Sequence, residues 1–115
     1  LHCPSTPQTK KLLNATSITR MKPGSVVINL ARGDLVDTAA LVAALQSGHL
    51  AGAAIDVCDP EPIPTDSPLR SLPSVIVASH IASASPKAVR TLRETAARIA
   101  VMALRGEPLP NVVNK

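Results

Sequence analysis

Three residues of this 115-residue chain are of types that carry anion and proton chemistry: Arg32 in NLARGDLVD, Glu61 in DVCDPEP and His80 in SHIASAS. A guanidinium is a planar fork of donors, suited to gripping a carboxylate or polarising a carbonyl. Gly33 beside it permits the backbone to turn and lets a ligand come close. An imidazole gives and takes a proton near neutral pH. A carboxylate bonded to one ring nitrogen holds the tautomer and stabilises the imidazolium form. Taken singly, each residue also has an ordinary reading as a solvated or structural group. The case rests on whether the fold brings them to one place.

The elements that must do so are three short apolar runs, Ser25–Asn29 (SVVIN), Ala53–Val57 (AAIDV) and Ser74–Ala78 (SVIVA). Each is continuous, which suits strands of a parallel sheet covered on both faces. Between the first two, Leu41, Ala44 and Leu45 form a helical stripe that Gly48 stops and Asp37 caps. Strand, helix and strand within about thirty residues make a right-handed βαβ unit. Thr9–Met21 is expected to hold a short helix capped by Asn14 or Thr16, with Lys22-Pro-Gly24 as a breaking turn. DPEPIPTDSP is irregular loop. The longest helix spans Pro86–Leu104, with Val89, Leu92, Ala96, Ile99 and Ala103 as its apolar face and Arg90, Arg93, Glu94 and Arg98 toward water. Open parallel sheets place ligands beyond the carboxyl ends of their strands. Arg32, the acidic stretch from Asp56 to Glu61, and His80 each follow a strand. Converging there, an anion anchor, a proton donor and a donor-orienting acid suit the reduction of a 2-oxo acid.

Composition narrows the class. One domain or part of one fits in this length, and 45% hydrophobic with 17% charged residues marks a globular chain. With no Phe, Tyr or Trp, bases cannot stack on aromatic side chains, and the +4 charge is scattered, so no nucleic-acid partner is expected. No apolar run approaches the ~20 residues of a membrane helix, and LHCPSTPQT lacks the pattern of a signal peptide. It reads instead like the end of a strand already under way. Cys3 and Cys58 belong to no ligand spacing, so they read as small buried hydrophobes of a reducing, cytoplasmic compartment, and no metal is expected.

From LHCPSTPQTKKLLN through MKPGSVVINLARG to GEPLPNVVN, the chain resembles the D-isomer-specific 2-hydroxyacid dehydrogenase family. The ordered set ARG, then DVxxxEP, then HIxxxS, carries the resemblance. It implies a Rossmann-like α/β parallel sheet forming the C-terminal half of a dinucleotide-binding domain. It further implies that Arg32 binds the substrate carboxylate and carbonyl, and that His80 is the general acid/base paired with Glu61. The cofactor that the resemblance implies is NAD or NADP. Asp56 matches the position that contacts the nicotinamide carboxamide. His2, Cys3, Pro4 and Thr9 match the segment lining the adenosine side, and Leu30 and Ala31 the segment near the nicotinamide. By the same resemblance Arg32 and His80 would border the cofactor as well. The resemblance puts the loop of Ala82 and Ser83 on the nicotinamide side, where the family commonly carries a glycine after HI. An aromatic residue is usual where Cys58 stands, and Thr where Ser85 stands.

Glycines at 24, 33, 48, 52 and 106 never fall in the GxGxxG spacing that lays a pyrophosphate on a helix N-terminus. The expectation is therefore a partial NAD-binding domain over residues 1–115, with residues 107–115 returning toward a substrate domain. The isolated chain is expected to bind NAD weakly or not at all and to turn over nothing. The whole protein is expected to be a homodimer acting on a small 2-hydroxy or 2-oxo acid of the glyoxylate, hydroxypyruvate, phosphoglycerate or D-lactate class. Alternatives are a nucleotide-sensing corepressor-like binding protein of the same fold, or a phosphite dehydrogenase. Formate oxidation is disfavoured, since relatives acting on formate carry glutamine at the position of Glu61.

Overall fold

A computed structural model of the chain describes residues 1–113. They form two units, Leu1–Ala82 and a second that starts at Ser83. The first contains α1 (Ala15–Thr19), β1 (Ser25–Asn29), α2 (Thr38–Gln46), β2 (Leu50–Ile55) and β3 (Val75–Val77), with 3-10 turns at Gly33–Leu35 and Pro68–Arg70. The second contains α3 (Pro86–Leu104). The strands form one parallel sheet in the order β1-β2-β3, an α/β arrangement of Rossmann-like type.

β2 begins three residues before the expected run. Its glycine allows this: a Cβ at Gly52 would stand 2.8 Å from the Ser74 carbonyl oxygen, the same oxygen that accepts from the Ala53 amide at 3.0 Å. The strand therefore runs through a position where a side chain would push β3 away.

The short helix expected within Thr9–Met21 is α1, five residues long and capped by Asn14, one of the two expected caps. Upstream, the Thr9 hydroxyl donates to the Pro4 carbonyl (2.7 Å) and accepts from the Thr6 amide (2.8 Å), and Lys11 sits at φ 51. Such local bonds satisfy the backbone without a helix. The helix starts only where Asn14 and Ser17 cap it reciprocally, at 3.1 and 2.8 Å.

α2 follows the sequence reading. Asp37 Oδ1 accepts from the amides of Ala39 and Ala40 at 3.1 and 3.2 Å, and Lys11 Nζ lies 3.1 Å from its other oxygen. Ile18 of α1 and Leu41, Ala44 and Leu45 of α2 join one core with Val27, Leu50, Ala53 and Ile55 of the sheet. Each buried Leu or Ile contributes roughly 1.5–3 kcal/mol.

Within Leu1–Ala82 the helices cover one face of the sheet. Val27, Asn29, Ala53 and Ile55 point into the core, whereas their neighbours Val26, Ile28 and Ile76 are 55%, 52% and 71% exposed. The continuous apolar runs led to an expectation of two covered faces. Residues Leu1–Ala82 supply helices for one.

α3 is capped by the Ser85 hydroxyl, which accepts from the Ala88 amide at 3.1 Å. It closes on Gly106 (φ 68), with the Glu107 amide reaching the Met102 carbonyl and the Gly106 amide the Ala103 carbonyl. Its half-buried positions are Val89, Thr95, Ile99 and Met102, while Leu92 is 71% exposed. Val89 and Ile99 thus stand on the expected face, while Thr95 and Met102 take the half-buried places expected of Ala96 and Ala103. Arg90 Nε bonds Glu94 Oε1 at 2.7 Å across one turn. Residues 107–113 carry no helix or strand; Asn114 and Lys115, the end of the expected return segment, lie outside the described residues. No helix among the described residues is long and apolar enough to cross a membrane.

Candidate active site

β1, β2 and β3 end at residues 29, 55 and 77, and the loops after them carry Arg32, Glu61 and His80. The first loop is shaped by Asn29, which is 1% exposed. Its side-chain oxygen accepts from the Ala31 amide (3.1 Å) and its amide group donates to the Arg32 carbonyl (2.8 Å). A buried amide with both ends used fixes the backbone that carries the guanidinium. The sequence reading gave Asn29 no role. The signal was there, a polar residue two places after Val27 and so on the inward face of the strand.

Asp56 does the same for the third loop. It is 4% exposed, and its two oxygens accept from the amides of Ile81 and Ala82, both at 2.8 Å. Its own carbonyl accepts from the His80 amide at 2.8 Å. Burial pushes this carboxyl up, but the Ala82 and Ile81 amides, with the His80 charge, hold it below the ordinary value of 3.8. This clamp encloses His80, whose φ of 59 lies in the left-handed region, an uncommon conformation for any residue but glycine.

So held, the ring of His80 meets Glu61: Nδ1 to Oε1 is 2.8 Å. Both side chains are nearly half exposed, 46% and 44%, so the pair faces solvent at the rim. It borders a cleft of about 680 Å³ that Asp56, Cys58, Ile63 and Val77 also line. The Cys58 thiol is pushed up by burial first, then by the charges of Glu61 and Asp56.

Arg32 is exposed and donates Nη1 to the Ala31 carbonyl at 2.7 Å. It makes no hydrogen bond or ion pair with Glu61 or His80 among the described residues. The loops therefore bring acid and imidazole into contact and leave the guanidinium separate. Leu30 is 43% exposed, whereas Ala31 turns its methyl into the core. His2 and Pro4 are exposed, and Cys3 and Thr9 are half-buried in the turn that the Thr9 hydroxyl ties. Ala82 ends the first unit and Ser83 opens the second, where its carbonyl accepts from the Ser85 amide. Cys3 and Cys58 are free thiols. No group of three or more His, Cys, Asp or Glu among the described residues could hold a metal ion.

Residues 1–82 match the model of the D-isomer specific 2-hydroxyacid dehydrogenase NAD binding domain. A glyoxylate reductase of Thermofilum pendens is 45% identical over 115 residues, all of this chain and 34% of that protein. The TT0316 protein of Thermus thermophilus superposes with a TM-score of 0.94 at 46% identity, over 99% of this chain and 36% of that one. A D-isomer specific 2-hydroxyacid dehydrogenase of Xanthobacter autotrophicus Py2, in complex with NADPH and MES, gives a TM-score of 0.83 at 41% identity over 98% and 46%. The chain spans about a third of the length of the curated relatives it matches.

Proposed function

Since the chain belongs to the D-isomer specific 2-hydroxyacid dehydrogenase family, we propose that it forms the catalytic half of a dinucleotide-binding domain in an enzyme that interconverts 2-oxo and 2-hydroxy acids. The observation that carries this reading is the 2.8 Å contact of His80 Nδ1 with Glu61 Oε1.

With Nδ1 committed to the carboxylate, Nε2 is the ring nitrogen left for substrate. In the reducing direction the imidazolium gives its Nε2 proton to the oxo oxygen and becomes neutral, keeping Nδ1–H on Glu61. Arg32 breaks its short bond to Ala31 and takes the substrate carboxylate in a two-point grip. The reverse direction returns the proton from the hydroxyl to Nε2.

A nicotinamide held there would supply or accept the hydride. The residues at the rim suit that end of NAD or NADP. Leu30 offers exposed apolar surface, and two of the four acceptor positions on Asp56 remain for a carboxamide N–H. His2, Cys3, Pro4 and Thr9 would flank the adenosine side, and Ala82 and Ser83 the nicotinamide side. The substrate is a small acid of the glyoxylate, hydroxypyruvate, phosphoglycerate or D-lactate type.

The test is a steady-state assay of the full-length protein with glyoxylate, hydroxypyruvate and pyruvate, each with NADH and with NADPH. Oxidation of the reduced cofactor by at least one of these acids is expected. Cofactor binding with no turnover of any 2-oxo acid would set the reading aside in favour of a nucleotide sensor.

A further inference from the structure

Gly33 stands next to the proposed substrate anchor, yet neither ordinary reason for a glycine applies to it. Its backbone is not in the left-handed region, so conformational freedom is not the requirement. The space where its side chain would stand is not open to a ligand either. A Cβ there would lie 2.7 Å from the Asp59 amide nitrogen, and closer still to the carbonyl carbon and oxygen of Cys58. Main chain is packed on main chain, and no rotamer change can relieve an added methyl group.

The contact joins two of the three loops at the rim. On one side Gly33 directly follows Arg32, whose carbonyl Asn29 holds. On the other, Cys58 and Asp59 follow Val57, which is 2% exposed, and lead within a few residues to Glu61. Both flanks are anchored in the core, and the bare surface of Gly33 is their point of meeting. The Arg32 guanidinium itself bonds neither Glu61 nor His80.

We propose that Gly33 is a positioning residue, whose missing side chain sets the spacing between Arg32 and the Glu61–His80 pair through its packing on the Cys58–Asp59 backbone. The proposal rests on the roles assigned to those three residues. It gives the glycine of ARG a duty toward the protein's own chain, not toward a bound molecule.

The experiment compares Gly33→Ala with Gly52→Ala in the full-length enzyme. Gly52 meets a similar obstruction, the Ser74 carbonyl oxygen at 2.8 Å, but within the sheet and away from the rim. A misplacement of about 1 Å can cost roughly 100-fold in rate. Gly33→Ala is therefore expected to lose about that much kcat/KM, with a raised KM for the oxo acid and unchanged affinity for the reduced nicotinamide. Gly52→Ala is expected to melt earlier yet keep its kinetic constants below its melting temperature.

Equal loss of activity in the two variants, or a folded Gly33→Ala enzyme with normal kinetics, overturns the proposal. Should Gly33→Ala not fold, Cys58→Gly against Cys58→Ala probes the other side of the same contact. Extra backbone freedom in Cys58→Gly is expected to raise the oxo-acid KM above that of Cys58→Ala, and equal values overturn the proposal. Arg32→Ala in the same series separates the failures. An active Arg32→Ala enzyme overturns the assignment of the anchor and this proposal with it. An inactive Arg32→Ala beside a normal Gly33→Ala overturns the proposal alone.

Discussion

His80 Nδ1 lies 2.8 Å from Glu61 Oε1, across a sequence separation of 19 residues. The histidine reaches the acid from a left-handed backbone, φ 59, uncommon for a residue that carries a side chain. What keeps it there is Asp56, which takes the amides of Ile81 and Ala82 on its carboxylate and the amide of His80 on its carbonyl. The pair is a product of the loop clamp, and its consequences can be measured.

Glu61→Gln keeps an acceptor beside Nδ1 but removes the negative charge on which the proposed acid–base role of His80 depends. General acid–base groups contribute roughly 10²–10⁴-fold to rate, so kcat of the full-length enzyme is expected to fall by a large part of that range. The variant should bind reduced nicotinamide normally by fluorescence titration, which separates chemistry from folding.

Asp56→Asn replaces one charged acceptor by an amide group that faces a loop N–H with its own donors. Ile81 or Ala82 then loses its partner, at about 1–3 kcal/mol for a buried donor left unsatisfied. The expected result is a lower melting temperature together with reduced kcat.

The same carboxylate sets an acid limb of stability. Asp56 and Asp37 both have folded values below the ordinary 3.8. For Asp37 the causes are the Ala40 amide and the Lys11 ammonium, opposed by burial. A depressed folded value means that the stabilisation is complete above 3.8 and is lost as pH falls from there through the folded values. Thermal melts are expected to hold level through the weakly acidic range and drop below about pH 4. Lys11→Met should shrink that drop, because it removes the Asp37 partner.

Much of this was legible in the sequence because the local rules agree with one another. β1 falls on Ser25–Asn29 as the SVVIN run predicts, and Asp37 caps α2 where an acidic residue precedes a helical stripe. The three chemistry-bearing residues fall after strands, as their order in the chain requires. What the sequence hid lies in nonlocal contact. Nothing local says that Gly52 lets β2 start at Leu50, or that Gly33 lies against Cys58, because the obstructing atoms come from distant segments. Which face of the sheet the helices of Leu1–Ala82 cover was equally hidden, since a continuous apolar run reads the same from either side. Asp56 was read as a cofactor contact, and its grip on the His80 loop is visible only in the folded chain.

Cys58 lines the cleft beside Glu61, and its thiol lies above the ordinary 9.0 because of burial, then the carboxylates of Glu61 and Asp56. Since the thiolate is the reactive form, alkylation of Cys58 by iodoacetamide in a Cys3→Ala background is expected to reach half its limiting rate above pH 9.0. Glu61→Gln should move that midpoint down. A midpoint unchanged by the substitution would contradict the proximity of acid and thiol.

Leu41→Ala tests the packing of the core. Leu41 is 1% exposed and packs between α2 and the sheet. Leu41→Ala is expected to cost about 2–5 kcal/mol by chemical denaturation, with kcat/KM unchanged well below the melting temperature.

Proton delivery by His80 is tested most directly by the single-turnover rate of the His80→Ala full-length enzyme, with reduced nicotinamide and a 2-oxo acid both at saturation. A loss of roughly 10²–10⁴-fold is expected, partly recovered when free imidazole is added, with both ligands still bound. A His80→Ala enzyme that turns over at the wild-type rate without imidazole would contradict that role.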